Sequence, residues 1–244
     1  MSGVIIFGGT GGIGSAIARA LSDRGVSTFL VSRTEERLNA VASEVGARGY
    51  AVADVTDLDQ VERAFSEATV ALGEVSAVAH CVGSILLKPA HLTSPTEFAS
   101  VIHQNLTSAF FVVRSAARTM TTGGSVLLFS SAAGRVGLAN HEAIAAAKAG
   151  IIGLTLSAAA TYAARKLRFN CIAPGLVQTA MSEKITSNQS AAAFSRALHP
   201  LGRLGEPADI APLAALLLSD EGSWITGQIF GVDGGLATVK TKLE

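Results

Sequence analysis

The chain has 244 residues, of which 49% are hydrophobic and only 16% are charged, so it can bury a sizeable core. Its 19 basic and 19 acidic residues give a formal net charge of zero, and this balance argues against nucleic acid or an anionic membrane as a partner. A neutral and apolar chain also favours an assembly that hides surface. We therefore expect a homo-oligomer.

The two cysteines, Cys81 and Cys171, lie at the ends of apolar runs and form no disulfide-framework or metal-ligand pattern. We interpret them as small buried hydrophobic residues and expect no metal site. The N-terminal stretch "MSGVIIFGGTGG" lacks the basic region and the length of a signal peptide. No segment approaches the roughly 20 uninterrupted apolar residues of a membrane helix. The expected location is a reducing, soluble compartment, the cytoplasm.

In the first half of the chain, short β-branched runs alternate with longer runs of helical periodicity. Strands are predicted at 3–8, 26–32, 50–55 and 75–82. Helices are predicted at 12–25, 35–46, 57–73 and about 97–119, the last one after a polar stretch.

The second half continues the same alternation. Strands are predicted at 124–131, 167–175 and 227–235, and helices at 141–164 and 207–219. The segment 179–206 is polar and is predicted to be irregular or helical. Apolar strands separated by helices indicate a parallel sheet covered on both faces. Right-handed crossovers then give an α/β fold with a Rossmann-like, doubly wound parallel sheet, and a single domain over 1–244 is expected.

A glycine-rich turn, "FGGTGGIG", joins the first strand to the first helix. Gly8, Gly12 and Gly14 permit the tight turn, the close approach of the backbone to a pyrophosphate, and the packing of the helix on the strand. The N-terminus of the helix supplies oriented N–H groups for that anion. A flexible loop is the alternative, but a strand and a helix flank the turn in the required order. The pattern therefore predicts nucleotide binding.

The residues after the second and third strands indicate which nucleotide is bound. A free ribose hydroxyl usually meets an acidic residue there, whereas a 2′-phosphate needs a cation. Ser32 offers a hydroxyl and Arg33 a guanidinium, which favours NADP(H) over NAD(H). Arg33 could instead pair with Glu35 or Glu36 on the next helix. Asp54 is placed to meet the adenine edge, or else to cap the following helix.

Further motifs follow in chain order: "HCVG" (80–83), Asn105 in "HQNLTSAF", Ser131 in "FSSAAG", Lys148, "NCIAPGLVQT" (170–179) and "WITGQIFGVDGG". Together with the glycine turn, they make the sequence similar to the short-chain dehydrogenase/reductase family over nearly its whole length. Two positions depart from the family pattern. Phe7 stands where many members have threonine, and "HCVG" matches the family's "NNAG" only at Gly83.

The resemblance implies roles for individual residues. Asn105 helps to hold a proton-relay water, Ser131 hydrogen-bonds the substrate oxygen, and Lys148 binds the nicotinamide ribose and lowers the pKa of its neighbour. Val177 and Thr179 contact the carboxamide and phosphate of the cofactor. The other cofactor contacts that the resemblance implies are Thr10, Ile13, Val55, Cys81, Val82, Gly83, Pro174 and Gly175.

The family signature YxxxK is altered in this chain, because its tyrosine position holds Ile144. The step of thirteen residues from Ser131 to Ile144 is a spacing often found between the family's serine and tyrosine. Ile144 has no ionisable group and cannot give a proton to a carbonyl oxygen. The usual mechanism is therefore interrupted at this position.

The enoyl reductase branch of the same family offers another interpretation, because its pattern is YxxxxxxK and His141 lies seven positions before Lys148. Positions 141, 144 and 148 share one helix face if the helix starts early enough. His141 would then replace the tyrosine as a hydrogen-bond donor, mostly as a neutral imidazole beside the Lys148 ammonium. The alternative is a partly exposed residue in the first turn.

Ser131 and Lys148 also have structural alternatives. A serine at this position can end the strand by bonding a backbone group. A lysine on an alanine-rich, apolar helix must find a partner when buried, and the ribose of a bound cofactor would provide one.

Two functions from different classes remain. The first is an NADP(H)-dependent oxidoreductase that passes hydride to a carbonyl or an activated double bond of a small-molecule substrate, with an altered proton donor. The second is a cofactor-binding sensor or partner subunit with little or no turnover. The family pattern makes 179–206 the substrate lid. The family pattern also implies a homotetramer, or a dimer, that forms by pairing of the helices near 97–119 and 140–164.

Overall fold

A parallel sheet forms the centre of the protein, whose computed structural model describes residues 3–240. Residues 1–2 and 241–244 of the predicted domain lie outside this range. The described residues contain seven strands in the order β3-β2-β1-β4-β5-β6-β7, and every neighbouring pair is parallel. The strands are β1 Gly3–Phe7, β2 Thr28–Ser32, β3 Gly49–Val52, β4 Val75–His80, β5 Gly124–Phe129, β6 Leu167–Pro174 and β7 Ile229–Val232.

Helices connect the strands and cover both faces of the sheet. In chain order they are α1 Gly12–Ser22, α2 Glu35–Val45, α3 Leu58–Leu72, α4 Pro95–Ile102, α5 Ser108–Thr119, α6 Glu142–Tyr162, α7 Glu183–Thr186, α8 Gln189–Leu198 and α9 Pro207–Leu218. The strand order reverses direction around β1, which pairs with β2 on one side and β4 on the other. This is the doubly wound, Rossmann-like α/β fold that the sequence predicts, and a ligand crevice is expected at the reversal point.

Two apolar layers hold the sheet between its helices. One layer packs α3, α5 and α6 on one face around Phe7, Phe65 and Phe169. The other packs α1, α2 and α9 on the opposite face around Ile6, Leu30 and other aliphatic residues. Because both faces are buried, the central strands consist almost entirely of apolar residues.

The strands end earlier than their apolar runs suggest. The third, fourth and fifth strands stop at Val52, His80 and Phe129, whereas the sequence predicts them to continue to 55, 82 and 131. The residues that follow leave the sheet at its carboxyl edge and become loops. Those loops carry most of the predicted ligand-binding residues.

The predicted helix at about 97–119 is not continuous. It divides into α4 and α5, and a π-helical turn at His103–Thr107 lies between them and contains Asn105. Such turns occur frequently at functional sites. The predicted helix from 141 begins one residue later, at Glu142, and His141 is its N-cap. Within 179–206 the structure contains two short helices, α7 and α8.

Helix α6, with 21 residues, is longer than the other helices of the described range. Together with the turn that follows it, at Glu142–Arg165, it has the length and the mean hydropathy, 1.6, of a helix able to cross a membrane. In this fold it packs on β5, β6 and α5, and Lys148 is buried within it. Its apolar character is therefore accounted for in part by its place against the sheet.

Candidate active site

A cavity of about 140 Å³ lies at the carboxyl edge of the sheet. It is lined by the loops after β4, β5 and β6, by the start of α1, and by one face of α6. The lining includes Gly83, Ser84, Ser131, Ile144, Lys148 and Thr179. A larger cavity of about 750 Å³ lies at the opposite edge, beside Trp224, away from these residues.

The glycine turn is closed tightly enough to require glycine. Gly8 has a φ of 80°, and a Cβ atom on Gly14 would lie 2.2 Å from the carbonyl oxygen of Gly8. A Cβ on Gly12 would lie 2.7 Å from the Thr179 methyl group. The first turn of α1 has no side-chain cap and no acidic residue, so its N–H groups can receive an anion. These features fit the pyrophosphate of a dinucleotide.

A hydroxyl pair connects the glycine turn to the end of β2. The oxygens of Thr10 and Ser32 lie 2.8 Å apart. Next to them Arg33 is exposed, and within residues 3–240 it forms no ion pair, so pairing with Glu35 or Glu36 is not observed. The guanidinium of Arg33 therefore remains able to bind an added anion.

Asp54 does not cap the helix that follows it. Its Oδ1 accepts hydrogen bonds from the backbone N–H and the hydroxyl of Thr56, at 2.9 and 2.7 Å. The N-cap of α3 is instead Asp57, which accepts from Asp59 and Gln60. The backbone bond from Thr56, followed by its hydroxyl and then by Arg33, lowers the pKa of Asp54. An ionised Asp54 close to Arg33 can still accept a hydrogen bond from an adenine.

Lys148 is a buried cation at the bottom of the cavity. Its Nζ donates to the carbonyl oxygen of Phe129 at 3.0 Å. Burial lowers the pKa of Lys148 from 10.5 to about 8, against a smaller opposing effect of Cys171 and Cys81. An ammonium has three donors, and this is the one hydrogen bond that Nζ makes within the described residues. Two donors remain for a ligand such as a ribose.

The two serines after β5, Ser130 and Ser131, form different hydrogen bonds. The Ser130 hydroxyl donates to the carbonyl oxygen of Lys148 at 2.7 Å and so joins the strand to α6. The Ser131 oxygen accepts from the N–H of Ala133 at 3.1 Å and begins a short 3₁₀ turn. Ser131 thus has the structural role that a strand-ending serine suggests. Its O–H proton is still available to the cavity.

Asn105 lies fully buried behind the cavity and binds the loop after β4. Its Oδ1 accepts from the N–H of Ser84 at 3.1 Å, and its Nδ2 donates to the Ser84 hydroxyl at 2.9 Å. A Cβ on Gly83 would lie 2.8 Å from Asn105 Oδ1 and 3.3 Å from Lys148 Nζ. Both polar groups therefore lie against the backbone of Gly83, and a larger residue would displace them.

Ile144 and Lys148 both line the cavity, but His141 does not. Ile144 is 4% exposed and packs in a small apolar cluster with Leu86, Leu106 and neighbouring residues. His141 precedes the first residue of α6, and its Nδ1 bonds to the carbonyl oxygen of Ala139 at 2.7 Å. The three positions therefore do not form the common cleft-facing row that an earlier helix start would produce.

Two groups at the end of β4, the His80 ring and the Cys81 thiol, are held in neutral forms. Burial, with a smaller effect of Lys148, lowers the pKa of His80 to about 3. Burial also raises the pKa of the Cys81 thiol to about 12. The Ser108 hydroxyl donates to the Gln104 carbonyl at 2.8 Å and lies 3.0 Å from His80 Nε2, so Nε2 carries the ring proton. Neither group exchanges a proton near neutral pH.

Two residues of the site were not found from the sequence. Ser84 follows Gly83 directly. In the sequence, only its position in the loop after the fourth strand indicates that it could belong to the site. His199 closes α8, and its Nε2 accepts from the N–H of Leu176 at 3.1 Å. This bond holds the "PG" segment of 170–179, and a Cβ on Gly175 would lie 2.5 Å from the same nitrogen. The segment is thus fixed by a residue of the 179–206 region.

A parallel sheet with an anion-binding glycine turn at its reversal point is a dinucleotide-binding arrangement. Comparisons with known proteins specify it further. A family model described as enoyl-(acyl carrier protein) reductase matches residues 8–237. The 3-oxoacyl-[acyl-carrier-protein] reductase FabG of Thermotoga maritima is 33% identical over 240 residues, which cover 95% of this chain and 96% of that protein.

Two further comparisons agree. Carbonyl reductase family member 4 of Danio rerio is 34% identical over 239 residues, covering 95% of this chain and 96% of that protein. The solved structure of a short-chain type dehydrogenase/reductase from Mycobacterium ulcerans has a TM-score of 0.92 and 30% identity, covering 97% of this chain and 90% of that one. The chain belongs to the short-chain dehydrogenase/reductase family, whose members are oxidoreductases that bind NAD(P)(H).

Proposed function

We propose that this protein is an NADP(H)-dependent oxidoreductase that reduces a carbonyl or an activated double bond of a small molecule with a donor other than a tyrosine phenol. The observation that carries the proposal is Lys148. A buried ammonium is costly unless it is paired, and Nζ makes only one bond, to a backbone carbonyl, within residues 3–240. The ribose hydroxyls of a nicotinamide cofactor would supply the missing partners at this place.

The preference for the phosphorylated cofactor rests on the end of β2. A 2′-phosphate placed beside the hydroxyl pair of Thr10 and Ser32 would meet the exposed guanidinium of Arg33. Arginine binds phosphate through paired, charge-assisted hydrogen bonds. The unphosphorylated ribose usually meets an acidic side chain at this position, and this chain has none at 32 or 33.

When bound, the cofactor supplies a hydride, and the residues of the chain bind and polarise the acceptor. Ser131 lines the cavity and can donate its hydroxyl proton to a substrate oxygen. Preformed donors at a developing oxyanion stabilise the transition state even without proton transfer. A catalytic role for His141 stays a prediction, with no cavity contact to support it.

A cofactor-binding protein with little or no turnover is the second candidate. Ile144 favours it, because this side chain is buried among aliphatic residues at the place the family pattern gives to the tyrosine. The lysine, serine and asparagine of the site would then serve cofactor binding and folding only. The name FabG and the carbonyl reductase relatives favour the enzyme, without identifying a substrate for this chain.

Cofactor titration followed by a substrate panel tests the proposal. Calorimetry with NADPH and NADH on the folded protein should show tighter binding of NADPH. NADPH oxidation is then measured with aldehydes, ketones, quinones and enoyl thioesters. Tight binding with no oxidation across the panel would favour the second candidate for those substrate classes. No binding of either cofactor contradicts both.

We propose further that 179–206 acts as the substrate lid and that the chain forms a homo-oligomer, a tetramer or a dimer. Met181 of this segment lines the cavity, and Phe194 on α8 is exposed. On the helices expected to pair, Phe110 and Leu156 are each about half exposed. Both cysteines are free thiols, which supports the cytoplasm as the compartment.

A further inference from the structure

The orientation of the Asn105 amide determines where the proton of the Ser84 hydroxyl can point. One end of the Asn105 amide faces the N–H of Ser84, which can only donate, so this end must be the oxygen, Oδ1. The other end faces the carbonyl oxygen of Val101 at 2.9 Å, which can only accept, so this end must be the nitrogen, Nδ2. The same Nδ2 donates its second proton to Ser84 Oγ at 2.9 Å. Both ends of the amide are thereby fixed by backbone groups.

Since Ser84 Oγ accepts from Asn105, its single proton is not used in that bond. Within residues 3–240, Ser84 Oγ donates to no other group. The residue lines the 140 Å³ cavity together with Ser131 and Lys148. Ser84 therefore lies on the wall of this cavity with a hydroxyl proton that no bond within residues 3–240 uses, and the buried amide behind it polarises that hydroxyl.

We propose that Ser84 is a catalytic residue that donates a hydrogen bond to the substrate oxygen and replaces the donor that is missing at Ile144. This inference rests on the proposed function and adds a residue to it. A bound dihydronicotinamide would supply the hydride, with loss of one of its C–H bonds and formation of a new C–H bond at the substrate carbon. The π electrons of the carbonyl would move to its oxygen, or those of an enone to the enolate oxygen. Ser84 would stabilise that charge, and solvent water would supply the proton and become hydroxide.

The arrangement favours Ser84 over the other candidate donors. The side chain of Ile144 is aliphatic, and His141 does not line the cavity. The Lys148 ammonium lies against the adjacent Gly83, so the substrate oxygen would develop its charge close to a cation. A serine hydroxyl is too weak an acid to be the final proton source, so Ser84 acts by stabilising the oxyanion.

Ligand binding tests the inference without turnover. The probe is 4-nitrophenol, whose ionised form absorbs at a longer wavelength, titrated into protein saturated with NADP⁺. The Ser84→Ala protein should bind the nitrophenolate about tenfold to one-hundredfold more weakly, the usual loss for a hydrogen bond to a charged group. Ser84→Thr keeps the hydroxyl and should restore binding. Equal affinities in the parent and Ser84→Ala proteins would overturn the proposal.

A matched control comes from β4, the strand that precedes the loop containing Ser84. Ser76 is half-buried, and its hydroxyl bonds to the backbone of Gly3 at 3.3 Å. Ser76→Ala should leave nitrophenolate binding unchanged, and circular dichroism should show that all three variants are folded. NADP⁺ affinity, measured separately, should be the same in Ser84→Ala and in the parent. If NADP⁺ binds to none of the proteins, the proposed function fails instead.

Turnover gives a second readout once a substrate is known. Ser84→Ala should lower kcat about one-hundredfold to one-thousandfold, the range for loss of an oxyanion donor, while His141→Ala tests the competing donor. A large loss in His141→Ala together with an unchanged rate in Ser84→Ala would overturn the inference in favour of the imidazole.

Discussion

The hydroxyl groups of Thr10 and Ser32 lie 2.8 Å apart, which joins the glycine turn to the end of the second strand. The two residues are 22 positions apart in the chain, and the parallel pairing of β1 with β2 brings them together. Arg33 directly follows Ser32 in the chain, and its side chain is exposed. Under the proposed NADP(H) preference, mutations at this corner of the sheet should change the relative affinities for NADPH and NADH.

Arg33→Ala should weaken NADPH binding about tenfold to one-hundredfold, since it removes charge-assisted bonds to the 2′-phosphate. NADH lacks this phosphate, so its dissociation constant should change by less than about threefold. Calorimetry with both cofactors measures the two constants. Arg37→Ala on the exposed side of α2 is the control. An equal loss for both cofactors would contradict a specific 2′-phosphate contact.

Gly14→Ala should abolish tight binding of either cofactor. The added Cβ would lie 2.2 Å from the Gly8 carbonyl oxygen, a backbone atom that can move only if the turn opens. Overpacking of this kind costs about 1–3 kcal/mol or more in the free energy of unfolding. Thermal unfolding with and without NADPH measures both effects. Gly137→Ala, where no atom lies within 4 Å of the new Cβ, should behave like the parent.

Lys148 should make the stability of the cofactor-free protein depend on pH. Its folded pKa, about 8, lies below the ordinary value of 10.5 because burial disfavours the ammonium. The charged form therefore destabilises the folded state at neutral pH. Between about pH 8 and 10.5 the folded state has lost the proton and the unfolded chain still holds it, so stability rises with pH.

Lys148→Met removes this titration and should stabilise the cofactor-free protein at pH 7 by up to about 3 kcal/mol, the value of the pKa difference. The advantage over the parent should shrink as pH rises from about 8 to 10.5. Urea denaturation of both proteins across that range measures the difference between their free energies of unfolding. The contributions of the other titrating groups cancel in that difference. The same variant should lose cofactor binding. A constant difference at all pH values would contradict the assigned pKa.

Ile144→Tyr should create or increase carbonyl reductase activity, because the new phenol would enter the cavity beside Lys148. Ile144 is 4% exposed in a packed cluster, so the larger ring should also destabilise the protein by about 1–3 kcal/mol. Ile144→Phe is the matched control, since it has the same ring without the hydroxyl. Equal ketone reduction by the two variants would show that the phenol contributes nothing.

Leu156→Glu should shift the oligomer towards smaller species if α6 pairs with a second copy. Leu156 is 48% exposed on a helix whose outer face is otherwise made largely of small residues. A buried, unpaired carboxylate at such an interface is strongly unfavourable. Light scattering measures the mass, and Val70→Glu on α3, where Val70 is 87% exposed, is the control. An unchanged mass in the Leu156 variant would place the interface elsewhere.

Much of the architecture was accessible from local patterns. Apolar runs such as 124–129 need two buried faces, and Gly8, Gly12 and Gly14 between a strand and a helix are typical of a turn that binds a nucleotide. The order of strands and helices, the Rossmann-like class and the glycine turn were predicted on that basis and are confirmed. Strand ends were less accurate, because an apolar residue can either continue a strand or line a cavity.

The positions of His141 and Ser84 show what local patterns do not contain. A spacing of seven residues places 141 and 148 on one face only if both are helical, and the helix begins at 142. Ser84 and Asn105 are 21 residues apart, and a π-helical turn lies at the second position. No periodicity in the sequence predicts that turn.

The sequence by itself determined the fold class, the position of the glycine turn and the absence of a phenol four positions before Lys148, because each depends on residue type and on short-range spacing. Only the tertiary structure decided which side chains meet at the carboxyl edge of the sheet. Those contacts join residues from distant loops, and their geometry depends on where each strand and helix ends. Hydrogen bonds are directional, so the contact between Ser84 and Asn105 forms only when the loop and the π-helical turn both hold their side chains in the right orientation.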